Sequence, residues 1–264
     1  ITRKIGIQKS EIKNCSNFEQ FKVYADLINS NLYCIKNGVS SIELQNFYEE
    51  GTPIVKIKLD PLLTASQNAQ KYYKEYKKSK TAISVLNEQI RSSTKELEYI
   101  STVLDELHRA STESELDEIR DELYSQGYLK SPRKKRNNKK LNPLEFLSSS
   151  GFKILVGRNN VQNDELTLKK SDKNDIWFHT KEIPGSHTVI LTEGKEPSEE
   201  TLFQAAVIAA FHSKAKESSN VPVDYTKIRN VHKPNGSKPG MVIYDRYNTV
   251  YVTPDKNLIE KLKI

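Results

Sequence analysis

The sequence predicts an α+β protein: a long antiparallel helical coiled coil with a small β-hairpin at its tip, followed by a compact mixed α/β domain. Three observations predict it. Two stretches with apolar residues at alternating spacings of three and four flank a segment of strict alternation. A cation-rich, proline-punctuated run follows, and beyond it short alternating segments surround one alanine-rich helical stretch. The 264 residues are enough for two units, each with its own core. The boundaries read as 1–129 for the coiled-coil region, 130–143 for a basic linker and 144–264 for the compact domain.

The first seam is Phe18, Phe21, Ala25, Ile28, Leu32 and Ile35, a helix running to about Asn37 and stopped by Gly38. Between Ser41 and Leu59 the period changes. Val55 to Leu59 alternates strictly, Ile42 to Tyr48 more loosely, and Glu50-Gly51-Thr52-Pro53 supplies the turn of a hairpin. A second seam then runs from Ala69 through Tyr72, Tyr76, Ser79, Ile83, Leu86, Ile90, Ser93, Leu97, Ile100, Leu104 and Leu107, a helix of roughly 60 Å. Such a seam is structural, and its use is mechanical: a stiff arm. A short third helix follows, with Thr112 and Glu115 spaced as a capping box, Leu116, Ile119 and Leu123 on one face, and Gly127 as its stop.

The compact domain reads as strands at 152–156, 165–168, 175–179 and 187–191, a helix from Ser198 to about Lys214, and further strands near 224–231, 241–244 and 249–252. Ser198 suits an N-cap, with Glu199 and Glu200 favourably placed in the first turn.

Charge and cysteine usage narrow the function classes. The net charge is +7, and Lys130, Arg133, Lys134, Lys135, Arg136, Lys139 and Lys140 account for all of it. This run attracts phosphates by releasing condensed counterions, or else is a solvated linker. The longest apolar run, Ala205 to Phe211, falls far short of the about 20 residues of a membrane span. Cys15 and Cys34 both fall on the first helix in this reading, roughly 28 Å apart along its axis. A disulfide requires about 7 Å, so they read as unpaired seam residues in a reducing compartment. The chain opens at Ile1 without an initiator Met and reads as a fragment of something longer.

The most informative stretch is Asp175-Ile176-Trp177-Phe178-His179. As a strand it turns Ile176 and Phe178 to one side and Asp175, Trp177 and His179 to the other. The second set suits stacking of a base and hydrogen bonding to its edge. It equally suits a tryptophan packed under a helix beside a satisfied core histidine. Pro184-Gly185-Ser186-His187 reads as a tight turn whose backbone N–H groups suit phosphate oxygens. Lys233 to Gly240 is a glycine- and proline-rich loop that carries Lys233 and Lys238 and no acid, suited to a phosphodiester chain or to plain connection. His179 and His187 lack a clustered third ligand, so no metal is expected. No Walker loop, dinucleotide fingerprint, Gly-x-Ser-x-Gly or zinc spacing is present. No cofactor and no catalytic residue are expected.

Gly157-Arg158-Asn159-Asn160, Asp175 to His179, Pro184 to His187, Asp224-Tyr225-Thr226, Lys233-Pro234 and Lys238-Pro239-Gly240 together resemble the RNA-binding domain of the NFACT family. Upstream, Leu59-Asp60-Pro61, Asn68-Ala69-Gln70 and the tyrosine-rich start of the long helix resemble its coiled-coil middle region. The resemblance implies a ribosome quality-control factor. Family members bind the large ribosomal subunit carrying an obstructed nascent chain and its tRNA. In bacteria they recruit alanyl-tRNA and support untemplated alanine tailing, while the chemistry stays with the ribosome. The family's N-terminal domain, with its tRNA-recruiting acidic–arginine motif, has no counterpart in these residues. The resemblance implies RNA contacts from Arg158, Asn159, Asn160, Asp175, Trp177, His179, Gly185, Ser186, His187, Lys233 and Lys238. The linker cations Arg133, Lys134, Lys135 and Arg136 join them, in a cytoplasmic protein.

Two other functions compete. The family's older fibronectin-binding name implies a surface adhesin for host fibronectin or fibrinogen, reaching the cell surface by non-classical export. A self-contained RNA-modifying enzyme built on Asp175, His179 and His187 is the third reading.

Overall fold

The computed structural model describes residues 1–15, 17–130 and 140–264, which form two compact units, Ile1–Leu97 and Glu98–Ile264. Arg133, Lys134, Lys135, Arg136 and Lys139 lie outside the described residues. The α+β class holds, with one long helix, small hairpins and a mixed α/β domain built on a sheet.

In the first unit, α1 (Thr2–Asn14) and α2 (Phe18–Ser30) run against the long α3 (Ala65–Arg109). Gln8 Nε2 donates to Gln89 Oε1 at 2.7 Å, Phe18 stacks on Tyr76, and Phe21 and Tyr24 both meet Tyr72. Partners on α3 thus descend in number as α1 and α2 ascend, so the packing is antiparallel. The hairpin β1 (Ser41–Gln45) and β2 (Ile54–Lys58) joins α2 to α3. Its inward residues Leu44 and Ile57 pack with Leu27, Ile28, Leu59 and Ala69.

The first helix is not continuous, which corrects the reading of both cysteines. Cys15 caps the end of α1, and Cys34 sits exposed in a 3-10 turn, Leu32–Cys34; both thiols are free. The tightening has a visible cause. Asn31 Nδ2 takes the Leu27 carbonyl at 2.8 Å, and the Asn31 backbone N–H moves to Ile28 O at 3.1 Å. Short amide side chains compete with the helical ladder in this way.

The second unit is built on a six-stranded antiparallel sheet of order β10-β7-β5-β6-β4-β3. Its strands are β3 (Leu144–Leu147), β4 (Lys153–Val156), β5 (Ile176–Thr180), β6 (Thr188–Ile190), β7 (Val221–Lys227) and β10 (Asn248–Val252). One face packs under α6 (Glu199–Phe211), whose run Ala205 to Ala210 is wholly buried against Ile154, Phe178, Ile190 and Val223. Small side chains let this helix lie close to the sheet. The other face carries Trp177 and Val189, covered by Leu166, Ile228 and Val231. These come from the segment after α5 (Asn160–Glu165) and from around the small hairpin β8 (Val231–His232) and β9 (Ile243–Tyr244). The short α7 (Lys256–Leu262) completes the unit, and Ile264 N donates to Glu145 O along the outer edge of β3.

Two further expectations are corrected. Glu165 to Leu168 is not a strand; α5 continues into a wide helical turn, Leu166–Lys170. Asn159 nucleates that helix by accepting from Gln162 N at 2.9 Å. The second seam also ends early. Leu104 and Leu107 are exposed, whereas Tyr99, Val103 and Glu106 are buried. From Tyr99 on, the helix packs on α4 (Glu113–Ser125) through Ile119, which draws a different stripe inward. The Thr112–Glu115 capping box is present.

Candidate nucleic-acid interface

The stretches singled out in the sequence converge, and they converge on one another. Gly157 and His187 pair through their backbones, with Gly157 N donating to His187 O at 3.0 Å, and Asn163 Oδ1 accepts from His187 N at 3.0 Å. Asp164 forms an ion pair with Lys233 and accepts from Gly240 N at 3.1 Å. A Cβ on Gly240 would stand 2.2 Å from Asn160 Oδ1, so the loop and α5 are in intimate contact. The 157–164, 185–187 and 233–240 segments therefore form one polar hub.

The hub also grips α4 and the end of α3. Arg158 Nη1 pairs with Glu115 Oε1 at 2.6 Å, and Asn159 Nδ2 donates to Glu118 Oε2 at 2.6 Å. Asn160 Nδ2 reaches Thr102 Oγ1 at 3.0 Å and Glu122 Oε1 at 3.2 Å. Ser186 Oγ accepts from Arg109 Nη1 at 3.1 Å, and Gly185 forms an isolated bridge with Ser213. Lys238 Nζ lies over the rings of Tyr99 and Tyr128, at 5.6 and 5.1 Å. Arg158 and Lys233, expected to meet RNA phosphates, are ion-paired inside the chain, and Lys238 lies against two tyrosine rings.

The Asp175–Trp177–His179 face is corrected as well. The predicted alternation is real, but Trp177 is 1 % exposed and Asp175 is buried. Asp175 Oδ1 accepts from Thr192 N at 2.8 Å and Thr192 Oγ1 at 3.0 Å, and Oδ2 accepts from Asp172 N at 2.8 Å. It ties the strand's start to its neighbours. Trp177 packs parallel to His179 (centroids 5.7 Å apart), edge-on to His187 and against Tyr244. His187 is buried, with Nδ1 2.8 Å from Thr167 Oγ1. Burial lowers the pKa of His179 and depresses that of His187 well below the usual histidine range. A packed aromatic core around the buried Trp177, not an exposed base-stacking face, occupies this part of β5. Among the described residues, no group of three or more His, Cys, Asp or Glu side chains is placed to hold a metal.

Two buried acids that the sequence reading passed over lie beside the hub. Glu106 and Glu122 are each 2 % exposed, and each leaves its Oε2 without a hydrogen bond among the described residues. Tyr99 OH donates to Glu122 Oε1 at 2.7 Å. Burial raises both carboxyls above the usual range, and for Glu106 the charge of Glu122 adds to the rise. Their only sequence signal is position: they fall on the stripe that Tyr99 and Val103 draw inward.

Exposed cations stand elsewhere. Lys169, Lys170 and Lys173 follow α5, and Arg229 lies alongside, its N donating to Lys173 O at 3.1 Å. The Glu165 carboxyl is lowered first by its hydrogen bond to Lys140 and also by the charges of Lys140, Lys170 and Lys169. Lys169, Lys170, Lys173 and Arg229 have no ion pair among the described residues. Acidic neighbours in sequence hid them from a reading by charge runs.

Residues 1–142 match the model of the NFACT N-terminal and middle domains, and residues 143–245 match that of the NFACT protein RNA binding domain. The chain belongs to the NFACT family. Among NFACT relatives it is 46% identical over 265 residues to the Rqc2 homolog RqcH of Bacillus subtilis, covering 98% of this chain and 46% of that protein. It is 40% identical to the Rqc2 homolog RqcH of Streptococcus suis, over 99% of this chain and 47% of that protein. The chain thus spans about half the length of the curated relatives it matches. A solved structure, the C-terminal part of the fibronectin/fibrinogen-binding protein from Streptococcus suis, superposes with a TM-score of 0.77 at 35% identity, covering 100% of this chain and 92% of that one. Of the stretches that resemble the family, those at 157–160, 185–187 and 233–240 assemble the polar hub, while those at 175–179 and 224–226 lie in or beside strands of the sheet.

Proposed function

We propose that this chain is the RNA-docking part of a ribosome quality-control factor, binding the large ribosomal subunit and tRNA. In the whole protein it supports alanine tailing of stalled nascent chains. In this reading it works in the cytoplasm and performs no chemistry of its own. The observation that carries it is the group of four exposed cations, Lys169, Lys170, Lys173 and Arg229, on a domain of the RNA-binding family. Cations already paired within the fold release few counterions on binding, whereas these four are available to phosphates. The RqcH relatives supply the cellular setting. Co-sedimentation of the chain with isolated large ribosomal subunits over a salt series tests it. Binding that weakens steeply with salt is expected; no binding even at low salt overturns the reading for this chain.

A second reading, adhesion to host fibronectin or fibrinogen, is favoured by the similarity to the Streptococcus suis protein described by that activity. Surface plasmon resonance at physiological salt separates the two. Specific adhesion survives charge reversal at Lys169, Lys170, Lys173 and Arg229, whereas generic charge attraction does not.

A further inference from the structure

We propose that the open strip of sheet where β5, β7 and β10 end is a site for unpaired nucleotides, with Tyr247 and Tyr251 as stacking rings. The proposal rests on the RNA-docking reading and names the part of the surface that meets bases rather than backbone.

Strand register places these residues together. His179 lies opposite Asp224, Asp224 opposite Thr249, and Pro222 opposite Tyr251. Lys181 N donates to Pro222 O at 2.9 Å, extending the ladder by one residue. Alternation then puts His179, Lys181, Asp224, Thr249 and Tyr251 on one face. Val223, Val250 and Val252 take the other, in the core beneath α6. Tyr247 joins the first face by contact: Lys181 Nζ lies 5.1 Å from its ring centre, and the Tyr244 ring meets it edge to face at 5.2 Å.

The two rings are exposed where aromatic side chains are ordinarily covered. Tyr247 is 43% exposed and Tyr251 is 62% exposed. Tyr251 stands on an edge strand, with no strand beyond β10 among the described residues. From Tyr247, just before β10, to Tyr251 within it the extended backbone spans about 13 Å, room for a phosphate between two stacked bases. Sheets that bind single-stranded RNA present aromatic rings in this way, because every base has a π face and an unpaired one is free to use it.

The strip is rigidly backed. Buried Asp224 accepts from Tyr244 OH at 2.8 Å and Thr249 Oγ1 at 2.6 Å, and lies 3.9 Å from Lys181 Nζ. Arg246, beside Tyr247, is held in the left-handed region at φ +48°, a strained conformation for a residue with a Cβ. Thr226 Oγ1 donates to Asp245 O at 3.2 Å or Arg246 O at 3.0 Å and in turn accepts from Asn230 Nδ2 at 2.8 Å. Asp245 N donates to Asn230 O, one residue from the exposed Arg229, so the strip continues the cationic surface. Two exposed acids stand by the strip, Glu182, whose charge reaches Tyr244, and Asp245, two residues before Tyr247. Stacking rather than net charge therefore dominates here.

The test is fluorescence anisotropy with a short labelled oligouridylate and with a blunt RNA duplex of equal length, using the full chain. Tyr247→Ala and Tyr251→Ala should each weaken single-strand binding at least about fivefold. Duplex affinity and the salt slope should stay unchanged, and Tyr247→Phe should retain binding. Tyr247→Leu, which keeps the bulk at the position, should lose binding like Tyr247→Ala; Trp177 emission reports whether the domain remains folded. Single-strand affinity within about twofold of wild type for both folded tyrosine variants, alongside weakened binding in Lys169→Glu/Lys170→Glu, overturns the nucleotide site and leaves the RNA-docking reading standing. Failure of the wild-type chain to bind either RNA at low salt overturns both.

Discussion

Arg158 Nη1 stands 2.6 Å from Glu115 Oε1, and its Nε donates to the Asn142 carbonyl at 2.8 Å. Both members of the ion pair are largely shielded, so each depends on the other for its solvation. Although burial alone would raise the Glu115 carboxyl, backbone and side-chain hydrogen bonds, Arg158 among them, hold it below the usual range. A depressed folded-state pKa contributes stability above the unfolded value and loses it as pH falls through the folded one. Arg158→Ala is therefore expected to cost about 1.5–3 kcal/mol at neutral pH, with RNA affinity nearly unchanged. Urea unfolding checks this, and the difference from wild type should shrink as pH falls below the ordinary glutamate range.

Glu106 and Glu122 have the opposite sign. Their folded-state pKa values are raised, so the fold favours their protonated forms. Stability from this source is fully present below the ordinary carboxylate range and declines as pH rises toward the raised folded values. Glu122→Gln keeps an acceptor for Tyr99 OH and removes the ionisation. Denaturant unfolding of Glu122→Gln across the mildly acidic to mildly alkaline range should show a flatter decline than wild type.

His212 limits stability from the acid side. Burial, with Arg109 and Lys216 adding, holds its pKa at about 3. The stability it contributes is present above the ordinary histidine value and lost as pH falls toward about 3. His212→Gln should make the chain less sensitive to mild acid, as read from unfolding midpoints between about pH 6.5 and pH 4.

Close packing at the hub predicts opposite signs for two glycine substitutions. A Cβ at Gly157 would stand 2.1 Å from Asn163 Oδ1, whereas one at Gly6, inside α1, meets nothing within 4 Å. Gly157→Ala should destabilise by about 1–3 kcal/mol, and Gly6→Ala should stabilise by about 0.5–1 kcal/mol. Thermal or urea unfolding of the two variants decides it.

Much of the architecture was legible because it rests on local periodicity. The seam through Ala25 and Ile28, the hairpin alternation at Val55 and Ile57, and the caps at Thr112 and Ser198 each express a rule that acts within a few residues. What failed depended on distant partners. Leu166 and Leu168 alternate as a strand would, yet the Asn159 cap commits that segment to a helix. Leu104 continues a heptad, but the α4 packing turns it outward. At the site, the sequence picked out residues that do assemble, yet folding buries or pairs several of them. Trp177 and Asp175 became core, and Lys233 met Asp164. A side chain's exposure is set by neighbours from elsewhere in the chain, so Lys169, Lys170, Tyr247 and Tyr251 gave little signal in advance.

The separation between cations that build the fold and cations that bind RNA is open to direct measurement. The affinity of the chain for a structured ribosomal RNA fragment should be followed against salt for wild type, Lys169→Gln/Lys170→Gln and Lys238→Gln. The slope of log K against log salt should fall by about 0.9 for each exposed lysine removed and stay unchanged for Lys238→Gln. An unchanged slope in the double variant, with a reduced slope in Lys238→Gln, would contradict the account.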